Sequence, residues 1–281
     1  MTEQNNMTND RIAAYAAYLR REERAEGTVE NYLRALTALL RYLDGTAVTQ
    51  ESINGWKATL TEQGYAPVTV NAMLAAINGF CRFMGWALKA KYLKVQRRLF
   101  RAPERELTQA EYKRLLQTAH QQKEAQLALL METICATGIR VSEVQYITLE
   151  AARAGQAEIA MKGKIRTIVL PGKLCRKLLG FAQKQKITSG EIFLAEDGTG
   201  LSRRRIWREL KKLCAGAGVA PSKVFPHNLR HLFAALFYRA YRDIAGLADL
   251  LGHSSIETTR IYLTASGTEY RRKLERLGLV S

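Results

Sequence analysis

Apolar residues three and four apart recur through the first hundred positions, a spacing that only a helix brings onto one face. Val70, Met73, Leu74, Ile77, Cys81 and Met84 form one such stripe; Val29, Tyr32, Leu36, Leu39, Leu40 and Leu43 form another. Each stripe must be buried against other helices. Ile12, Tyr15, Tyr18 and Leu19 mark a helix over residues 11–21, and a shorter one is expected over 52–60. Thr28 and Thr69 stand just ahead of the two long stripes and are expected to cap them. Four short helices around one core make a small bundle.

The pattern then changes. Residues 89–105 (KAKYLKVQRRLFRAPER) are crowded with cations, which suits a solvated linker and equally a basic strap laid along phosphates. Thr108 and Glu111 have capping-box spacing, so a second domain is expected to begin near residue 105. Helices over 109–117 and 124–136 follow, the latter stopped by Gly138, then a short helix over 141–147. Residues 158–161 and 165–170 are short, rich in β-branched residues and separated by Lys162-Gly163-Lys164, a hairpin signal. A further strand is expected over 191–194, and Ser202 is expected to cap a helix running to residue 215. The fold expected is mainly α. A four-helix domain with its basic linker spans residues 1–104, and an α-rich domain with a small antiparallel β-sheet spans 105–281.

Charge narrows the function. The chain carries a formal +17, which points to nucleic acid or an anionic membrane surface. Residues 1–104 hold 14 Lys/Arg against 10 Asp/Glu, and residues 105–281 the remaining 29 against 16, so the excess lies in the second domain. The helix expected after Ser202 carries Arg203, Arg204, Arg205, Arg208, Lys211 and Lys212. That face is either solvated or in contact with phosphate. No apolar run approaches the roughly 18 residues of a membrane span, and the polar start has no signal-peptide character, so a cytoplasmic protein is expected. Cys81, Cys135, Cys175 and Cys214 show no zinc spacing and read as buried free thiols.

Three short stretches carry chemistry. ATGIRVSE (136–143) holds Arg140, either paired with Glu143 or aimed at an anion. HNLRH (227–231) places His227 and Arg230 on one helix face behind Pro226, at a helix start suited to phosphate. LLGHSSIETTRIYL (250–263) holds His253, a capping-box signal at Ser254 and Glu257, and Tyr262 nine residues after the histidine. A tyrosine oxygen can attack a phosphodiester, two guanidiniums can hold its non-bridging oxygens, a lysine can protonate the leaving oxygen and a histidine can relay a proton. The absence of spaced carboxylates disfavours two-metal chemistry, and the absence of a G-x-x-x-x-G-K-[ST] loop disfavours ATP-driven chemistry.

In that order and at those separations, ATGIRVSE, HNLRH and LGHSSIETTRIY resemble the signature of the tyrosine recombinases, or phage-integrase family. The resemblance is specific over 105–281 and looser over the first domain, which looks like the family's SAM-like core-binding domain. It implies Arg140 and Arg230 as the paired arginines, Tyr262 as nucleophile and His227 as a general acid/base. His253 would contact the scissile phosphate and help orient the nucleophile, and Glu143 would support the site. Family hairpins often read GKGxKxR; the shorter KGKIR here leaves Lys162 as the catalytic lysine, with Lys164 as the alternative.

The resemblance also implies strand exchange without a cofactor, on double-stranded DNA with an inverted-repeat core site, by a homotetramer. The apolar side of residues 268–279 (Tyr270, Leu274 and Leu277) would then pack on a neighbouring subunit. With no extra N-terminal domain expected, the architecture is similar to Xer-type resolvases or simple mobile-element recombinases, working in the bacterial cytosol at the nucleoid. The competing expectations are a type IB topoisomerase and a DNA-binding protein that has lost catalysis on the same scaffold.

Overall fold

The computed structural model describes residues 5–95, 105–161, 164–253, 255–259 and 275–277. The chain divides into two compact units, Met1–Arg97 and Arg98–Ser281. The first is built from α1 (Asn9–Arg21), α2 (Glu26–Leu43), α3 (Gln50–Glu62) and α4 (Pro67–Phe83). The apolar stripes meet in one core: Tyr15, Leu19, Leu36, Leu39, Ile53, Leu74, Ile77 and Phe80 are all buried. Each fully buried large apolar side chain there contributes about 1.5–3 kcal/mol.

Two caps differ from expectation. α2 and α4 begin after Ala25 and Ala66, with no side-chain cap bond, so Thr28 and Thr69 lie inside the first turn. The apolar stripe marks where burial begins, and each helix starts before it. Pro67, which has no N–H to satisfy, opens α4.

The basic segment also begins differently. Asn78 accepts from Ala90 N at 2.7 Å and donates to Ala90 O at 3.0 Å. Two turns earlier on the same face, Asn71 accepts from Leu93 N at 2.7 Å and donates to Leu93 O at 2.9 Å. Residues 89–93, expected as linker, are thus strapped to α4.

The second unit contains α5 (Gln109–Gln121), α6 (Ala125–Thr137), a 3-10 turn (Val141–Tyr146), α7 (Leu149–Ala154), β1 (Gln156–Met161), β2 (Lys164–Val169) and α8 (Gly172–Lys184). After these come α9 (Arg203–Ala217), α10 (Pro226–Tyr241), α11 (Ile244–Leu251) and the single turn α12 (Ile256–Thr259). The capping boxes and caps expected at Thr108 and Ser202 are present. α7 and α8 lie outside the elements expected from the sequence. The strands pair antiparallel from Gln156 with Val169 to Met161 with Lys164, so Lys164 opens β2 and is not a turn residue. Residues 191–194 form no named strand. They make isolated bridges, because the Gln126 side-chain amide takes both Leu194 O (2.9 Å) and Leu194 N (3.2 Å).

α6 is the centre of this unit: Leu127, Leu130, Met131 and Ile134 are buried on one face and Ala128, Leu129 and Thr133 on the others. It packs against α5, α8, α9 and α10. Among the described residues, no helix is long and apolar enough to cross a membrane. All four cysteines are free; Cys135 is only partly buried by exposure.

Gly138 ends α6 with φ +66°, and a β-carbon there would lie 2.5 Å from the Phe233 ring and 3.0 Å from Leu251 Cδ2. Gly155 ends α7 with φ +74° and open space around it. Gly155→Ala therefore carries only the left-handed backbone cost, about 1–2 kcal/mol. Gly138→Ala adds overpacking and costs about 1–3 kcal/mol more. Urea unfolding of the two variants measures the difference.

Candidate active site

Two helix C-termini converge on the site. α6 ends at Gly138 and α11 at Gly252, both in the left-handed conformation, with φ +66° and +61°. Such ends leave carbonyls without helical partners and carry the negative pole of the helix dipole. Guanidiniums fill that need. Arg230, on α10, is 2% exposed; its Nη1 donates to the Gly138 carbonyl at 2.7 Å and its Nη2 to the Leu251 carbonyl at 2.8 Å. Arg166, from β2, also donates to the Leu251 carbonyl. Arg140 Nη2 reaches the Gly252 carbonyl at 3.5 Å.

Glu143 is the acidic counterpart, itself 2% exposed. Its carboxylate accepts from the Arg140 backbone N–H at 2.7 Å and from Arg140 Nη1 at 2.9 Å, and it lies 3.4 Å from Arg166 Nη2. One side chain thus caps the turn after α6 and pairs with two cations. Gly252 completes the fit, since a β-carbon there would overlap the Arg166 side chain. Arg140 and Arg166 share this carboxylate while Arg230 binds carbonyls, so the three guanidiniums and one carboxylate leave a formal +2.

His253 follows Gly252 and senses that charge. Its Nε2 is 2.9 Å from Arg230 Nη2 and its Nδ1 is 2.9 Å from Thr259 Oγ1. Burial first, then Arg230, Arg140, Arg166 and His227, push its pKa from 6.5 down to about 4. Burial also lowers the Arg166 value, aided by Arg230 and Arg140 and opposed by Glu143. A site this cationic, lined by forked donors, is built to receive an oxyanion.

Of the residues singled out by sequence, Arg140, Arg230, His253 and Glu143 are brought together. His227 sits exposed in the first turn of α10, its ring edge-on to His231 with centroids 6.4 Å apart. Lys162, Ser254 and Tyr262 lie outside the described residues, as does residues 268–279 except for 275–277. Among the described residues, Ser255 Oγ accepts from Glu257 N at 3.2 Å.

Two neighbours were not foreseen, Arg166 and Thr259. The strand period could have found the first: Arg166 alternates in phase with Ile168 and Leu170, both buried. Thr259 had no comparable signal.

Removing the carboxylate charge leaves the guanidiniums uncompensated. Glu143→Gln is expected to cost about 3–5 kcal/mol, with added sulfate restoring more stability to the variant than to the wild type; thermal melts with and without sulfate test this. For His253, the unfolded chain binds the extra proton between pH 6.5 and about 4 while the folded chain does not. Stability is therefore expected to fall as pH drops through that window. A ¹⁵N NMR titration should find the His253 ring neutral at pH 5.5.

The phage integrase family model matches residues 105–269, and the model for the phage integrase N-terminal SAM-like domain matches residues 12–87. Tyrosine recombinase XerA of Pyrococcus furiosus is 26% identical, over 99% of this chain and 97% of its own length. Tyrosine recombinase XerD of Brucella suis is 30% identical, over 85% of this chain and 86% of its own. The fold is shared with a XerH site-specific recombinase bound to difH substrate (TM-score 0.70, 18% identity, 90% of this chain and 79% of that one). It is shared too with a lambda integrase dimer bound to a COC′ core site (TM-score 0.73, 18% identity, 93% of this chain and 96% of that one). With its larger unit matched almost throughout and its smaller unit matched separately, the chain belongs to the phage integrase family, the tyrosine recombinases.

Proposed function

We propose that the protein is a site-specific DNA recombinase that cuts and rejoins strands through a 3′-phosphotyrosine intermediate. The observation that carries this reading is the unbalanced charge: guanidiniums from the turn after α6, from β2 and from α10 gather at the ends of α6 and α11, with one buried carboxylate paired to the first two. A phosphodiester brings the missing negative charge, and its two non-bridging oxygens match forked donors.

In this reading Tyr262 Oη attacks the scissile phosphorus while Arg140 and Arg230 hold the non-bridging oxygens. Lys162, with Lys164 as the alternative, protonates the leaving 5′ oxygen. His227 serves as general acid/base and His253 steadies the phosphate side of the site. The phosphotyrosine keeps the bond energy, so a 5′-hydroxyl from a partner strand can re-attack without a cofactor.

DNA binding draws on both parts of the chain, divided functionally at residues 104 and 105. The basic segment and the exposed cations of α9 supply phosphate contacts. We take the working unit to be a homotetramer on inverted-repeat sites in the cytoplasm, with residues 268–279 packing on a neighbour. Relatives carrying the Xer name and transposon integrases of the same fold support dimer resolution and mobile-element movement alike.

The deciding experiment traps covalent protein–DNA adducts in cells expressing the wild type or Tyr262→Phe and sequences the attached DNA. Adducts in the wild type alone, clustered at one inverted repeat, are expected. Adducts without sequence preference would indicate a relaxing topoisomerase, and none in either protein would sink the catalytic reading. For α9, replacing Arg203, Arg204 and Arg208 with Gln should weaken DNA binding and reduce the slope of log K against log salt by up to about 0.9 per lost contact. A salt series measured by fluorescence anisotropy tests it.

A further inference from the structure

Arginine only donates hydrogen bonds. Where Arg230 Nη2 stands 2.9 Å from His253 Nε2, that nitrogen must therefore be the acceptor. The neutral ring then carries its proton on Nδ1, and Nδ1 stands 2.9 Å from Thr259 Oγ1. Thr259 is 0% exposed, so its hydroxyl is committed inside the protein and not shared with bulk water. The result is a directed chain: Arg230 donates to His253, and His253 donates to Thr259.

We propose that Thr259 is a positioning residue: it accepts the Nδ1–H that the Arg230 contact imposes on His253, and so holds the ring with Nε2 facing and orienting the Arg230 guanidinium. The inference rests on the reading of this cluster as the recombinase site. Thr259 stands three residues before Tyr262. The hydrogen-bond chain therefore links the segment that leads to the nucleophile with the guanidinium that meets the phosphate. The carbonyls of Gly138 and Leu251 accept from the same guanidinium. The opposite tautomer would point an N–H at the guanidinium, donor against donor, and turn Nη2 away.

The four histidines make the tautomer measurable in the full chain. Long-range ¹⁵N–¹H spectra of ¹⁵N-histidine-labelled protein, with the His253 signals assigned by their loss in His253→Gln, should show Nδ1 protonated and Nε2 bare. Thr259→Val should lose that signature, Thr259→Ser should keep it, and adduct yield in cells should fall in the first and recover in the second. A wild-type His253 protonated on Nε2 would overturn the proposal whether or not any variant folds. So would a folded Thr259→Val with the wild-type tautomer. Absence of adducts in the wild type would count against the recombinase reading alone, because the tautomer is read without DNA.

Discussion

Taking a guanidinium out of water is costly unless each donor finds an acceptor, and the second unit is organised around meeting that cost for Arg230. The acceptors are the carbonyls of Gly138 and Leu251 at the ends of α6 and α11, where helix geometry leaves oxygens unsatisfied. Each end needs a residue that tolerates positive φ, which is why a glycine stands in both ATGIRVSE and LGHSSIETTRIY. Once those ends are fixed, Arg140 emerges beside the first and His253 beside the second. Glu143 then sits between Arg140 and Arg166 as their buried counter-charge.

The sequence carried the helices best where one face is buried and the other solvated. In α1, α2 and α4 the stripes predicted the buried face closely, whereas the helix starts were displaced because nothing obliges a helix to begin with a capping side chain. Segment 191–194 failed for a different reason: its backbone bonds are divided among Ile147, Leu201 and the side-chain amide of Gln126, so no continuous ladder forms. The site was legible in part. Arg140, Glu143, Arg230 and His253 stand in motifs whose spacing already implies chemistry. Arg166 sits within a motif, yet its role comes from strand phase. Thr259 is recognisable only through the ring nitrogen it touches.

The strap on α4 has a bearing on how the chain can be cut. An extended segment with no sheet partner ordinarily offers its backbone to a protease, which needs several residues drawn out together. Between Lys89 and Leu93 that backbone is already occupied: Lys89 N by Gln50, Ala90 by Asn78, Lys91 O by Lys57 and Leu93 by Asn71. Side-chain amides and an ammonium do the work of a neighbouring strand. Lys89 and Lys91, although basic and near the surface, are thereby poor trypsin sites, and the first susceptible bond after α4 follows Lys94. The resistant N-terminal fragment left by such a nick is thus expected to keep its strap.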